Sequence, residues 1–77
     1  MKLKKLGNNV TELDLVEGKR VLVSYETPVA YSELTPEGRM FYMTDKKWSR
    51  TTSKHISQWM PKDQAIEKPQ EFFDNLI

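Results

Sequence analysis

The sequence contains no cysteine, so neither a disulfide bridge nor a thiolate metal ligand is available to it. Its only histidine is His55, whereas a structural zinc site takes four ligands that are mostly cysteine or histidine. We therefore expect no metal ion and no cofactor. A chain of 77 residues buries a thin core, so packing of its tryptophans, tyrosines and phenylalanines must supply the stability, with self-association as a homodimer left open.

Long apolar runs are also missing. The longest is MFYM at residues 40–43, whereas a membrane-spanning helix needs about 20 apolar residues. The start, MKLKKLGNN, has the basic character of a signal-peptide head, but no apolar stretch of about seven residues or more follows it. We therefore expect a soluble, cytoplasmic protein with no membrane partner, in agreement with the lack of cysteine.

Neither sign of charge dominates, because the formal net charge is +1. The charges are nevertheless segregated: residues 1–9 carry +3, residues 10–38 carry −4, residues 39–55 carry +4 and residues 56–77 carry −2. Either the two basic blocks meet in space and form one patch, or each neutralises an acidic block.

Alternating apolar residues predict a β-hairpin over residues 10–26. VTELDLV places Thr11, Leu13 and Leu15 on one face of a half-buried strand. A tight turn at Gly18 follows, and RVLVSYE, rich in β-branched and aromatic residues, returns as the partner strand.

Two further strands are predicted, in TPVAYSE and MFYMT. Pro28 has no N–H for a β-ladder, so it marks a bulge, an edge or a bend. LTPEGR is a second turn. MFYMT is apolar on both faces and is expected to be the most central strand. Residues 1–9 form either a frayed arm or a first edge strand.

Helical spacing begins near Thr51. Ile56, Trp59 and Met60 stand at i, i+3 and i+4, which is one face of a helix. Pro61 ends this helix, and its start is predicted to be capped by Ser49, Thr51 or Ser53. Residues 61–68 are predicted to be a linker, and residues 69–77 a short helix with Pro69 in its first turn.

This order predicts one α+β domain over residues 1–77. Its core would be an antiparallel sheet of about four strands (β-β-β-β), followed by one or two helices packed on one face. A small, curled, barrel-like sheet is the alternative.

Residues 42–60 crowd both tryptophans, His55 and several cations into one junction. Cations around an aromatic ring suit nucleic acid, because they neutralise phosphates while the ring stacks on an unpaired base. The structural alternative is that the hydroxyls cap a helix, the lysines form a solvated face and Trp48 wedges against the sheet. The candidate nucleic-acid contacts are Lys46, Lys47, Trp48, Arg50 and Lys54.

We do not expect an enzyme, and no catalytic residue is assigned. Asp45, His55 and either Ser49 or Ser53 lie close in sequence, but a triad also needs aligned geometry, oxyanion donors and a pocket. The acidic residues alternate or occupy turns as solvent-facing side chains do; they are Glu12, Asp14, Glu17, Glu26, Glu33 and Glu37. The glycines are isolated, so no phosphate-binding loop is present.

Two segments, VLVSYETPVAY at 21–31 and FYMTDKKWSRTTSKHISQWM at 41–60, resemble a family of small phage or prophage proteins. The shared pattern is Ser-Tyr-x-Thr-Pro-Val-Ala, then Tyr-x-Thr, then Ser-x-Thr-Thr-x-x-His. It covers 31 of the 77 residues, and the segment from Pro61 onward lies outside it. The resemblance implies a shared fold and source but no activity.

Two binding hypotheses remain for a non-catalytic domain. The first is an accessory protein that contacts nucleic acid through the basic junction. The second is an interaction module that binds a host or phage protein through an exposed sheet edge or through the tail, where the candidate residues are Phe72, Phe73 and Leu76.

Overall fold

The computed structural model describes residues 2–76. The strands are β1 (Lys2–Gly7), β2 (Val10–Asp14), β3 (Arg20–Ser24), β4 (Thr27–Thr35), β5 (Gly38–Thr44) and β6 (Ala65–Lys68). The helices are α1 (Arg50–Trp59) and the short α2 (Gln70–Asp74), with single 3-10 turns at Val16–Gly18 and Lys62–Gln64. No helix among residues 2–76 is both long and apolar enough to cross a membrane.

The six strands form one mixed sheet in chain order, β1 to β6. The four pairs from β1–β2 to β4–β5 are antiparallel, and β6 pairs parallel to β5. The α+β class is confirmed, but the expected four strands are too few. Residues 2–7 form an edge strand, and residues 65–68, predicted to be linker, form β6. A parallel neighbour needs a crossover, which α1 provides.

The hairpin of β2 and β3 has the predicted pairing, from Val10 opposite Ser24 to Asp14 opposite Arg20. Its turn uses left-handed backbone at Glu17 (φ 61°) and Gly18 (φ 76°). Such φ values favour glycine, so Gly18 makes the sharp return possible without steric cost at that position.

Pro28 lies at a β-bulge. Leu22 is opposite Ala30 while Val23 is opposite Pro28, so Val29 is an extra residue in β4. A residue without an N–H is tolerated at a bulge because the ladder is interrupted there.

Both faces of the sheet are covered, which corrects the expectation of helices on one face. On the α1 face, the buried cluster is Val10, Leu22, Val29, Ala30, Ile56 and Met60. On the α2 face, it is Leu13, Val21, Tyr31 and Phe73. Neighbouring residues Val21 and Leu22 are both fully buried, which requires packing on each side of β3.

MFYMT is not the most central strand. β5 is fifth in the order, and most of its side chains are half-buried, whereas β3 and β4 occupy the middle of the sheet. β5 is apolar on both faces because it contacts a core cluster on each side of the sheet. Phe41 and Met43 pack against the cluster on the α1 face, and Tyr42 packs against the cluster on the α2 face.

Candidate nucleic-acid interface

The first turn of α1 is capped by Ser49. Its Oγ accepts a hydrogen bond from the backbone N–H of Thr52 at 3.3 Å. Of the three hydroxyl residues predicted as caps, Ser49 therefore performs this role. The prediction that a hydroxyl caps this helix is confirmed for Ser49.

Each predicted cation of the junction is exposed: Lys46, Lys47, Arg50 and Lys54. A shallow cavity of about 150 Å³ lies among Lys46, Lys47, Trp48 and Lys62, with Asp45 and Glu67 as the acids on its wall. Lys62 was missed by the sequence reading because it lies beyond α1, and the crossover returns it to this end of the sheet. The structure thus adds one cation, Lys62, and one acid, Glu67, to the charged residues that the segment itself contains.

Trp48 lies at the boundary between core and solvent, with 37% of its surface exposed. Its Nε1–H donates to Gln70 Oε1 at 3.2 Å, and the Gln70 amide nitrogen donates to the Pro28 carbonyl at 2.7 Å. Lys46 Nζ lies 4.4 Å from the Trp48 ring centroid, which is a cation–π contact. The ring is held in place by the start of α2 and carries one of the cations on its face.

The two basic blocks of the sequence do not form one patch. β1 and β5 are first and fifth in the sheet, so three strands separate them, a distance of about 19 Å at the usual strand spacing. Lys2 and Lys4 stand opposite Asp14 and Glu12 in the β1–β2 pair. The lysines of β1 therefore lie beside acidic residues of β2 and do not extend the basic junction.

The two segments that carry the family resemblance meet in a buried hydrogen-bond cluster. Ser24 Oγ lies 2.9 Å from Thr52 Oγ1 and 2.9 Å from His55 Nδ1. Ser24 and Thr52 are buried, and His55 is half-buried. A partner at Nδ1 orients the imidazole ring. Sequence reasoning missed this cluster because its members lie 28 and 31 residues apart.

A second cavity, of about 320 Å³, opens beside His55. Its lining residues are Leu6, Val10, His55, Gln58 and Trp59. The Trp59 Nε1–H donates to Glu12 Oε1 at 2.9 Å. Glu12 is only 8% exposed, so the expectation that it faces solvent is wrong: the carboxylate is buried because it anchors this indole.

The residues that suggested a triad in the sequence are not assembled. Among residues 2–76, the side-chain hydroxyl hydrogen-bonded to His55 is that of Ser24. Ser49 is committed to the helix cap. Ser24 is 2% exposed and is shared with Thr52, so its hydroxyl is not open to a substrate.

The tail residues proposed as an interaction surface belong largely to the core. Phe73 is fully buried on the α2 face of the sheet. Phe72 and Leu76 are half-buried against the same cluster, and the Phe72 ring lies 5.1 Å from that of Phe73. Phe73 is therefore unavailable to a partner in this fold, since burying it is what covers this side of the sheet.

A family model matches residues 1–75, described as a family of unknown function, DUF8033. The chain belongs to DUF8033. The DUF8033 model also matches the residues beyond Pro61, which lie outside the two shorter segments of the sequence resemblance. Searches of curated proteins and of solved structures gave no match. The family description states no activity, so a function for this DUF8033 domain has to be argued from its own residues.

Proposed function

We propose that this DUF8033 chain is a non-catalytic domain that binds nucleic acid through the basic junction at the start of α1. The observation that carries the proposal is that Lys46 and Lys47 line a cavity together with a tryptophan that Gln70 holds in place. The exposed cations Arg50 and Lys54 follow on α1. Lys62 adds a further cation on the same cavity wall. An aromatic ring among cations is the arrangement that binds single strands without strong sequence preference.

The electrostatics of the junction favour phosphate. Neutralising phosphates with lysine and arginine releases condensed counterions, which drives binding at low salt. The start of α1 adds the positive end of its dipole on the same side. Asp45 and Glu67 oppose this field. The three lysines of the same cavity outnumber them, and Arg50 and Lys54 add positive charge on α1.

A catalytic role has less support. A nucleophile must reach its substrate, and the hydroxyl beside His55 belongs to the buried Ser24. The hydrogen bonds of Ser24 join β3 to α1 through both Thr52 and His55, which is a structural role. The further idea of a phage accessory protein rests on the sequence resemblance and stays a prediction.

The test is a salt titration of binding to a labelled single strand by fluorescence anisotropy. Four phosphate contacts predict a slope of roughly −3 in log affinity against log salt. Lys47→Glu combined with Lys54→Glu should weaken binding by at least about tenfold at low salt and flatten the slope. Both side chains are exposed, so the fold should survive, as circular dichroism would check.

The matched control is a pair of charge reversals outside the junction. Lys5→Glu with Lys19→Glu makes the same change in net charge: Lys5 lies on β1, and Lys19 lies in the β2–β3 turn. These variants should bind almost as the parent does. Absence of binding to any single or double strand at low salt, or equal losses in the two pairs, would rule out the junction as a nucleic-acid interface.

A second candidate is a protein-interaction module that uses the sheet edge. All six residues of β1 are exposed, and β1 pairs on one side only, with β2. An edge strand of this kind accepts an extended segment by strand addition. The three lysines of β1 favour an acidic partner segment. A pull-down that depends on the β1 lysines but not on Lys47 and Lys54 would support this candidate over the first.

A further inference from the structure

The cavity beside His55 combines apolar walls with polar groups. Leu6 and Val10 come from β1 and β2, while His55, Gln58 and Trp59 come from the second half of α1. At about 320 Å³ it lies at the small end of ligand pockets, which suits one planar ring system. The buried cluster of Ser24 and Thr52 fixes the His55 ring at this wall, so the site is built into the fold.

A ridge of α1 connects the basic junction with this cavity. Arg50, Lys54 and Gln58 follow one another at intervals of four residues, and all three are exposed. Residues four apart lie about 6 Å apart along a helix and turn by about 40° around it. The rotation carries the ridge from the capped end of α1 towards the flank occupied by His55, where Gln58 lines the cavity.

We propose that the cavity of Leu6, Val10, His55, Gln58 and Trp59 receives one unpaired base of a single strand whose phosphates follow Arg50 and Lys54. This inference rests on the proposed function and names its ligand as single-stranded nucleic acid. Charge complementarity argues for this occupant: the cations lie along the approach to the cavity, while neither lysine nor arginine is among its lining residues.

The lining residues supply the interactions that a base needs. The indole of Trp59 is anchored by its hydrogen bond to Glu12, so its ring is presented at the wall in one orientation. Gln58 offers both an amide donor and a carbonyl acceptor to the polar edge of a base. His55 offers its Nε2, because Nδ1 is occupied by Ser24.

Tyr25 extends the aromatic surface outside the cavity. Its ring centroid lies 6.2 Å from that of His55, and half of the side chain is exposed. Its backbone φ is 59°, in the left-handed region that a tyrosine seldom adopts. The hairpin turn between β3 and β4 thus holds an aromatic ring in the solvent next to the proposed base site, where a neighbouring base would stack.

The experiment compares an intact oligonucleotide of about 12 nucleotides with an abasic one of the same length, which keeps the phosphates and lacks the bases. Affinities are measured on the unsubstituted protein, and fluorescence on Trp48→Phe, which leaves Trp59 as its only tryptophan. The intact strand should quench Trp59 fluorescence along the binding curve. It should also bind at least about fivefold more tightly than the abasic strand, because stacking contributes to affinity base by base.

Two variants on α1 test whether the cavity is where the base binds. Gln58→Ala should lower the intact-to-abasic affinity ratio while leaving the salt slope unchanged. Stacking on the ring at position 48 accounts for the part of the ratio that remains. Ser57→Ala is the control, because Ser57 is exposed on the same helix but is not a lining residue of the cavity. It should keep the ratio of the parent.

Each alternative result is decisive. If both strands bind equally well with the same salt slope, the base site is overturned while phosphate binding at the junction stands. If neither strand binds, the proposed function fails and the base site fails with it. If Ser57→Ala lowers the ratio as much as Gln58→Ala, the cavity is not where the base is held.

Discussion

Glu33 accepts hydrogen bonds from two tyrosine hydroxyls. Tyr31 Oη donates to Oε2 at 3.2 Å, and Tyr42 Oη donates to Oε1 at 3.1 Å. Burial, and after it the negative charge of Glu33 and the hydrogen bond to it, together raise the pKa of Tyr31 to about 12. The pKa of Tyr42 is also raised, first by burial and then by Glu33. Both phenols are therefore held in their neutral form in the folded protein.

The raised pKa of Tyr31 predicts a loss of stability in alkaline solution. An unfolded tyrosine loses its proton near pH 10, while folded Tyr31 keeps it to about pH 12. Because the unfolded state binds fewer protons in that window, the free energy of unfolding falls as the pH rises through it. Urea unfolding between about pH 9 and about pH 11 measures this fall, which should be shallower in Tyr31→Phe.

Tyr25→Phe is the control for that titration, since Tyr25 is 50% exposed and lies next to His55 rather than Glu33. All other ionisable groups are common to the three proteins, so their contributions cancel in the comparison. A Tyr31→Phe protein with the same pH slope as Tyr25→Phe would contradict the assignment.

At the scale of elements, α2 depends on its neighbours. It has five residues, too few to be stable as an isolated helix. Phe73 inserts into the cluster of Leu13, Val21 and Tyr31, and Gln70 bonds both Trp48 and Pro28. The helix that covers this face of the sheet therefore exists because of tertiary contacts.

Phe73→Ala should lower the free energy of unfolding by about 3–5 kcal/mol, because it removes a fully buried aromatic ring from the core. Glu71→Ala, on the exposed side of the same helix, should change it by less than about 0.5 kcal/mol. Urea unfolding followed by circular dichroism measures both.

Deleting residues 69–77 is a stronger form of the same test. The deletion removes both Phe73 and Gln70 and should leave the chain unfolded, because these residues pack into the core and bond to Trp48 and Pro28. A truncated chain that stays folded and monomeric but loses a partner would instead show that the tail is an interface.

At the scale of the whole molecule, the sheet has two open edges. β1 lies at one edge and β6 at the other. All residues of β1 are exposed, and Leu3 is the most exposed of its apolar side chains. Lysines on an edge strand oppose pairing between copies through like-charge repulsion. We therefore predict that the lysines of β1 oppose self-association through this edge.

Replacing Lys2, Lys4 and Lys5 with threonine should promote self-association through β1, because the edge then keeps its backbone groups without the repulsive charges. Sedimentation velocity over a range of concentrations measures the result. Lys46→Thr, Lys47→Thr and Lys54→Thr together make the same change in net charge away from the edge. Equal association in the two triple variants would attribute the effect to net charge and not to the edge.

The local pattern of the sequence determined the elements whose evidence lies within a few residues. Alternation around Gly18 defined the β2–β3 hairpin, and Ile56, Trp59 and Met60 defined the buried side of α1. The exposed cations of the junction were found in the same way, because charged side chains seldom enter a core. These features depend on periodicity and polarity, which neighbouring residues express by themselves.

The tertiary structure alone decided which distant residues meet. The four residues of β6 carry too short a pattern to signal a strand, and they form one because α1 returns the chain beside β5. Glu12 is buried because Trp59 of α1 donates a hydrogen bond to it. Ser24 of β3 orients His55 through a hydrogen bond that likewise joins two elements. The cavity beside α1 forms only when β1, β2 and α1 pack together. Its lining residues are far apart in the sequence, and contacts between distant residues produce no periodic pattern from which they could be predicted.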